Sequence, residues 1–410
     1  MKSLSITSII KWSVIVFLFY VCFILYVFGE HRIILYASAA VALGGMIWHM
    51  LASRKALNHL FPIGVLMNFV MCVYSLVTGV FVAVNPSSLM EAIKSYTAYS
   101  LMCIAACFVC DEEKSIDWLA DTFIVLSLVS CFQIFRGGFY LRGYGYIVSQ
   151  SQNPNTLGMI LDIGIFSAAY RCKDNAKSRL VYGGMALVFI YYIIGCGSRK
   201  CLLAAGVICL IWLFPLLVSV YRNRTIGQRV MLTIILGVLT VFVLRYFSRV
   251  YVNTESFERM QTLGEEASST SFKRMKYYQY AIEYFLEKPV FGIGFAQYAE
   301  WFPTHGYSHS TYAEAIANWG IVGCMLYFTP IIAGTIQAWI IAYSKRKDMK
   351  SFMIFGLCMM ELLLGVGQIF FYEIEHLFVW TIIFMFIQLE KSYGSMQEKP
   401  TKQCRYLRTV

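Results

Sequence analysis

Four stretches of this 410-residue chain place polar side chains among apolar surroundings, and each has a chemistry open to it. The first is SHSTYAEAIANWGIVG, residues 308–323. His309 precedes an apolar run, Glu314 follows five residues on, and Gly320 and Gly323 lie on the next turns. An imidazole at a water–lipid boundary exchanges protons near neutral pH, as a general base must. A histidine that merely caps its helix would occupy the same place. The glycines allow close helix packing or a kink. The second stretch is GCGSRK, residues 195–200, where Arg199 and Lys200 interrupt an apolar hairpin over 181–220. A guanidinium binds phosphate oxygens bidentately, although a tight turn whose long side chains snorkel to lipid headgroups accounts for the pair equally well. The third is SFKRMKYY, residues 271–278, with Lys273, Arg274 and Lys276 clustered. It suits a phosphate clamp or a patch for anionic headgroups. The fourth is SQNPNTLG, residues 151–158, where Asn153 and Asn155 flank Pro154. That is ordinary helix capping, or a pair of amides able to meet ligand hydroxyls.

Other polar residues carry less. His305 and His309 stand at i, i+4, but Gly306 lies between them and no acid motif accompanies them, so no metal site is expected. Asp121, Asp162 and Glu361 fall inside apolar runs and are expected to face the bundle interior, where acids raise the possibility of a proton-coupled transporter. The 13 cysteines sit mostly within or beside apolar runs and read as small hydrophobes; Cys103, Cys107 and Cys110 have the spacing of core packing. There is no P-loop, dinucleotide fingerprint or serine-hydrolase elbow.

The elements that must position these groups are membrane helices. The chain is 59% apolar and only 14% charged, against roughly 45–50% and 25% in soluble domains. Apolar runs fall near 12–29, 33–51, 61–84, 94–110, 118–135, 154–170, 180–197, 201–220, 230–247, 319–342, 351–371 and 376–389. Each approaches the ~20 residues a spanning helix needs, which predicts an all-α polytopic protein with about 12 spans forming one domain over 1–410. The net charge of +11 would suit nucleic acid, but here the bases lie between apolar runs. Most of the 34 Lys and Arg fall on one side if both termini are cytoplasmic, as the positive-inside rule requires, leaving residues 390–410 as a cytoplasmic tail. Arg199, Lys200 and the cluster at 273–276 defy that rule. One outer loop is long: residues 248–311, between the ninth and tenth spans. Loops of this length are usually functional. Within it Tyr278, Ala281, Ile282 and Phe285 have helical spacing, predicting an amphipathic helix on the membrane surface that Pro289 ends, with a turn at Gly292 and Gly294.

Taken in order, NPN at 153–155, GSRK at 197–200, RMKYYQYAIEYFLEKPVFGIGFAQY at 274–298 and HSTYAEAIANWGIVG at 309–323 resemble the O-antigen ligase/polymerase superfamily. The resemblance covers roughly residues 150–330. It implies glycosyl transfer on the outer face from a saccharide carried on a polyprenyl diphosphate, by a multi-helix fold of the C type of glycosyltransferase. It also implies that Arg199 and Arg274 engage the diphosphate and that His309 is the base activating the acceptor hydroxyl. Lys200, Lys273, Lys276, Asn153, Asn155 and Glu314 join them as candidate substrate contacts. No metal, cofactor or nucleotide sugar is implied, because diphosphate is already a good leaving group.

The physical requirements agree with that reading. Cleaving an anomeric bond to diphosphate leaves negative charge, which fixed cations stabilise where water is scarce. The attacking hydroxyl must lose a proton, and two lipid-tethered chains held side by side gain proximity. A repeat-unit polymerase is favoured over a ligase, since no feature suggests recognition of a core lipid. A flippase for lipid-linked saccharides is the alternative of another class; it predicts internal symmetry and broken midplane helices, which the sequence does not display. The expected location is a bacterial cytoplasmic membrane. The expected partners are undecaprenyl-diphosphate-linked oligosaccharide and membrane lipid, with the flippase and chain-length regulator usual for the family, and no nucleic acid.

Overall fold

In lipid, every backbone N–H and C=O must be satisfied within the protein, so long apolar runs fold as helices. A computed structural model of the chain describes residues 5–24, 32–53, 62–109, 113–136, 154–172, 176–196, 198–222, 224–231, 233–234, 237–238, 241, 245, 270–303, 306–345 and 348–397. Among these the regular structure is helical throughout. The helices are α1 (Ile6–Phe19), α2 (Arg32–Ser53), α3 (Ile63–Val82), α4 (Pro86–Val109), α5 (Glu113–Arg136), α6 (Pro154–Arg171) and α7 (Ala176–Cys196). They continue with α8 (Arg199–Arg222), α9 (Thr270–Glu287), the short α10 (Tyr298–Trp301), α11 (Thr311–Ile340), α12 (Met349–Leu364) and α13 (Ile374–Gln397). Six described segments are both long and apolar enough to cross a bilayer, including Ile63–Val82 and Thr311–Ser344. The protein is therefore an all-α, multi-pass membrane protein. The expected span at 230–247 lies largely outside the described residues.

At the centre of the bundle is α6, buried without interruption from Thr156 to Tyr170. A helix apolar on all sides belongs inside, and α5, α7, α8 and α12 pack around it. Side chains on the outer faces of the bundle, such as Trp48, Phe81 and Leu187, remain exposed, as lipid contact permits. Asp162 and Glu361 are fully buried, as expected. Asp121 is not: 47% of its side chain is exposed, and it accepts from Arg171 Nε at 2.8 Å. Asp117 holds the same guanidinium at 2.6 Å. Arg171 therefore has a local ion-pairing role.

Two expectations about the outer face change. The helix expected on the membrane surface is α9, but its inner face packs on protein. Ala281 and Tyr284 join Ile293, Tyr298, Phe302 and Ala317 in a buried cluster, while Ile282 points outward. Burial against α11 satisfies the amphipathic pattern better than lipid alone, because three aromatic rings interlock there: Tyr284 meets Tyr298 edge-on at 5.6 Å, and Tyr298 stacks on Phe302. The second change is at 351–371, which is not one continuous span. Helix α12 stops at Leu364, and a turn with a single 3-10 turn (Phe370–Tyr372) leads into α13. Gly365, Gly367 and the polar Gln368 break the apolar run there.

Candidate functional site

A cavity of about 400 Å³ lies where α6, α8 and α11 begin. Asn155 from the first turn of α6, Lys200 from the first turn of α8, and His309 and Glu314 from the start of α11 all line it. Three long helices thus present the positive ends of their dipoles to one space, which Glu300, Glu314 and Glu373 also line. Lys200 adds a formal positive charge. The remaining wall comes from the segment between α9 and α11, the outer segment on the expected topology (Ala296, Ala299, Glu300, Tyr307), and from the α12–α13 turn (Gln368, Tyr372, Glu373).

His309 sits in the left-handed region at φ 59°, uncommon for a residue with a Cβ. Strain of this kind persists only where neighbours hold it, and here Glu314 does so. Its buried carboxylate accepts from the Ser308 backbone N–H and the Ser308 hydroxyl, both at 2.9 Å. Ser310 N–H donates to that hydroxyl at 3.1 Å, and Ser310 caps α11. The tight bend throws the imidazole outward between two rings, Tyr307 at 4.2 Å and Tyr277 of α9 at 5.8 Å. Glu314 accordingly positions the histidine as well as lining the cavity. Tyr372 completes the clasp, bonded both to Glu314 and to Asn318 Nδ2.

The floor of the outer segment is built into a gap in α11. Gly320 has φ 60° and ψ −166°, which breaks the helix. The carbonyls of Ala317 and Asn318 lose their helical donors and instead accept from Ile293 and Gly294 N–H at 2.9 and 3.0 Å. In exchange, the N–H groups of Ile321 and Val322 donate to the Pro289 and Val290 carbonyls at 2.9 and 3.2 Å. The segment after α9 therefore replaces two rungs of the helix, so the carbonyls of Ala317 and Asn318 and the N–H groups of Ile321 and Val322 stay paired inside the protein. The Tyr74 hydroxyl bonds the next carbonyl, Trp319, at 2.7 Å. Both options open to the glycines are realised: Gly320 makes the kink, and Gly323 gives close packing against Tyr74 and Trp319.

The α12–α13 turn ties the helix starts together. Lys200 Nζ donates to the Gly367 carbonyl. Thr311 N–H donates to Gly365 and Gln368 carbonyls, while Thr311 Oγ1 donates to Gln368 at 2.7 Å and accepts from Phe370 N–H at 2.9 Å. Ser198 Oγ donates to Asn155 Oδ1 at 2.9 Å, and Gln368 Nε2 reaches the Asn155 carbonyl at 3.4 Å. From outside, Tyr278 of α9 donates to Val366 at 3.2 Å. Asn85 N–H of the α3–α4 connection donates to Gln297 Oε1 (2.8 Å), and Ser88 Oγ in the first turn of α4 donates to Glu300 Oε1 (2.6 Å).

Four expected site residues, Asn155, Lys200, His309 and Glu314, thus share one cavity although up to 159 positions separate them in the chain. Lys276 is exposed on α9 and not part of the cavity wall. Arg199 opens α8, and Lys273 and Arg274 lie in the first turns of α9, but their side chains fall outside the description, as do Asn153 and His305 altogether. Among the described residues no three His, Cys, Asp or Glu side chains gather as a metal site would require. Sequence reasoning missed Tyr307, Glu300, Gln368, Tyr372 and Glu373. The last three stand in GVGQIFFYEIEH, and its glycines and polar residues inside an apolar run were the available signal.

Residues 184–328 match the family model described as O-antigen ligase. No curated protein matches the chain. Over residues 184–328 the chain is similar to the O-antigen ligase/polymerase superfamily, a family of glycosyl-transfer enzymes. The matched segment contains Lys200, Gly320, His309 and Glu314, while Asn155 and the α12–α13 turn lie beyond it.

Proposed function

We propose that this chain joins saccharide units carried on polyprenyl diphosphate, by glycosyl transfer at the extracytoplasmic face of a bacterial cytoplasmic membrane, with both termini cytoplasmic. The reading rests on one observation: a histidine, a lysine, an asparagine and a clasping glutamate converge on one cavity where three helices begin. In the proposed reaction an acceptor hydroxyl oxygen bonds to the anomeric carbon while the bond to diphosphate breaks. The hydroxyl proton passes to His309, and polyprenyl diphosphate leaves with the bonding electrons. Lys200, together with Arg199 and Arg274, stabilises the charge gathered on the leaving group, helped by the helix N-termini. Asn155, with Asn153 beside it, meets saccharide hydroxyls, and Lys273 and Lys276 hold the anionic headgroup region outside. The acceptor we favour is a second lipid-linked repeat unit, which makes the enzyme a polymerase of surface polysaccharide, acting beside a flippase and a chain-length regulator.

The test is direct. Purified full-length protein in liposomes receives lipid-linked saccharide extracted from source cells lacking this chain. A ladder of longer saccharides is expected, and His309→Ala should slow it by about 100-fold or more, the usual contribution of a general base. Transfer of one finished glycan to a different lipid acceptor, without a ladder, would make the chain a ligase. Translocation without elongation or transfer would overturn the glycosyl-transfer reading.

A further inference from the structure

One side chain of the cavity wall is backed by a chain of ionisable groups running into the membrane interior. Glu373 precedes α13 and lines the cavity, with 27% of its side chain exposed. Its Oε2 is turned into the wall, 3.5 Å from Nε2 of His376, within ion-pair reach but longer than a made hydrogen bond. The other ring nitrogen, Nδ1, is 2.6 Å from Oε2 of Glu361 on α12, and both of those side chains are fully buried. Phe370 covers the imidazole at 4.1 Å between ring centroids. Three elements are needed to assemble this row: α12, the turn, and α13. Glu375, two residues beyond Glu373, is also buried; it bonds Cys22 and interacts electrostatically with both Glu373 and His376.

Ionisable groups in a membrane interior are costly, and they persist where they serve a site. A buried imidazole gripped on one nitrogen by a carboxylate has its ring orientation and tautomer set, so the opposite nitrogen is aimed. Here it is aimed at the one acid of the row that reaches the cavity. A carboxylate in that position is repelled by a diphosphate and suits hydroxyl groups, which it binds by charge-assisted hydrogen bonds. Gln368 and Glu300, in the same cavity, offer the same kind of partner.

We propose that Glu373 is a saccharide-binding residue whose carboxylate grips hydroxyls of the lipid-linked substrate, and that Glu361 and His376 are positioning residues that hold it in place. This rests on the glycosyl-transfer reading above. Because the contact is made to the sugar and persists through the reaction, its loss should appear in KM and not in kcat.

The same liposome reaction, followed against concentration of the extracted lipid-linked saccharide, tests this. Glu373→Gln should raise KM about 10- to 100-fold, the worth of a hydrogen bond to a charged group, with kcat within about threefold. Glu361→Gln should raise KM in the same direction by less. The double variant should be no worse than Glu373→Gln alone, because Glu361 acts only through Glu373. Additive effects, or a wild-type KM for Glu373→Gln, would overturn the proposal. Glu361→Gln is checked for folding by its thermal unfolding midpoint. If it unfolds, the partly exposed Glu373→Gln decides alone. A wild-type protein that processes no lipid-linked saccharide would instead refute the glycosyl-transfer reading itself.

Discussion

Replacing Gly320 with alanine should be strongly destabilising, as should the same change at its contact partner Gly292. Gly320 is left-handed at φ 60°, and an added Cβ would lie 2.6 Å from Gly292 N and from Val290 C and O. The contacts are backbone, so no side chain can swing aside. Holding alanine in the left-handed region costs about 1–2 kcal/mol. Pushing the 289–294 segment away also threatens four exchanged hydrogen bonds, each worth about 0.5–1.5 kcal/mol net. The combined loss is about 3–8 kcal/mol, a large share of the ~5–15 kcal/mol that holds a typical domain. Because that segment carries the outer wall of the cavity, activity should fall with it. Thermal unfolding in detergent, hydrogen exchange at the amides of Ile293, Gly294, Ile321 and Val322, and the liposome reaction together read the effect. The controls are Gly44→Ala and Gly183→Ala, helical glycines with nothing near the added carbon, which should be neutral or gain up to about 1 kcal/mol. If Gly320→Ala unfolds at the wild-type temperature with those four amides still protected, the exchange does not hold the outer segment.

Two further substitutions probe the helix starts. Glu314→Ala leaves the buried Ser308 N–H and hydroxyl without their acceptor, a loss of about 1–3 kcal/mol for each group. It should lower kcat about 10- to 100-fold with KM little changed, as expected when His309 is no longer held; an unchanged kcat would mean that the clasp is irrelevant to the histidine. Lys200→Met keeps the length of the side chain and removes its charge. It should lower kcat/KM for the lipid-linked substrate about tenfold or more, with kcat falling, and flatten the dependence on salt, since a screened charge contact has gone. An unchanged kcat/KM would favour a lysine that serves only to fasten Gly367.

Much of this was legible before the fold. The helix starts at Pro154, Arg199 and Thr311 follow from a proline, a Gly-Ser pair and a serine N-cap meeting apolar runs, because capping is a local matter. Local spacing also placed Gly320 and Gly323 at a kink or a close contact. The sequence offers Glu314 as a substrate contact, but its clasp on Ser308 is not legible there, since it accompanies a left-handed bend at His309 that no local pattern marks. Asp121 was misplaced for a similar reason: its partner Arg171 stands 50 residues away.

The amino-acid pattern by itself determined that the chain lies in a membrane as helices, which side its bases favour, and which polar residues open those helices. Each of those rests on hydropathy, charge or capping within a few residues. Only the tertiary structure decided that Asn155, Lys200, His309 and Glu314 share a cavity, that the 289–294 segment fills the breach at Gly320, and that Glu361 and His376 stand behind Glu373. These depend on backbone and side-chain bonds between segments far apart in the chain, and such bonds leave no periodicity for a sequence to display.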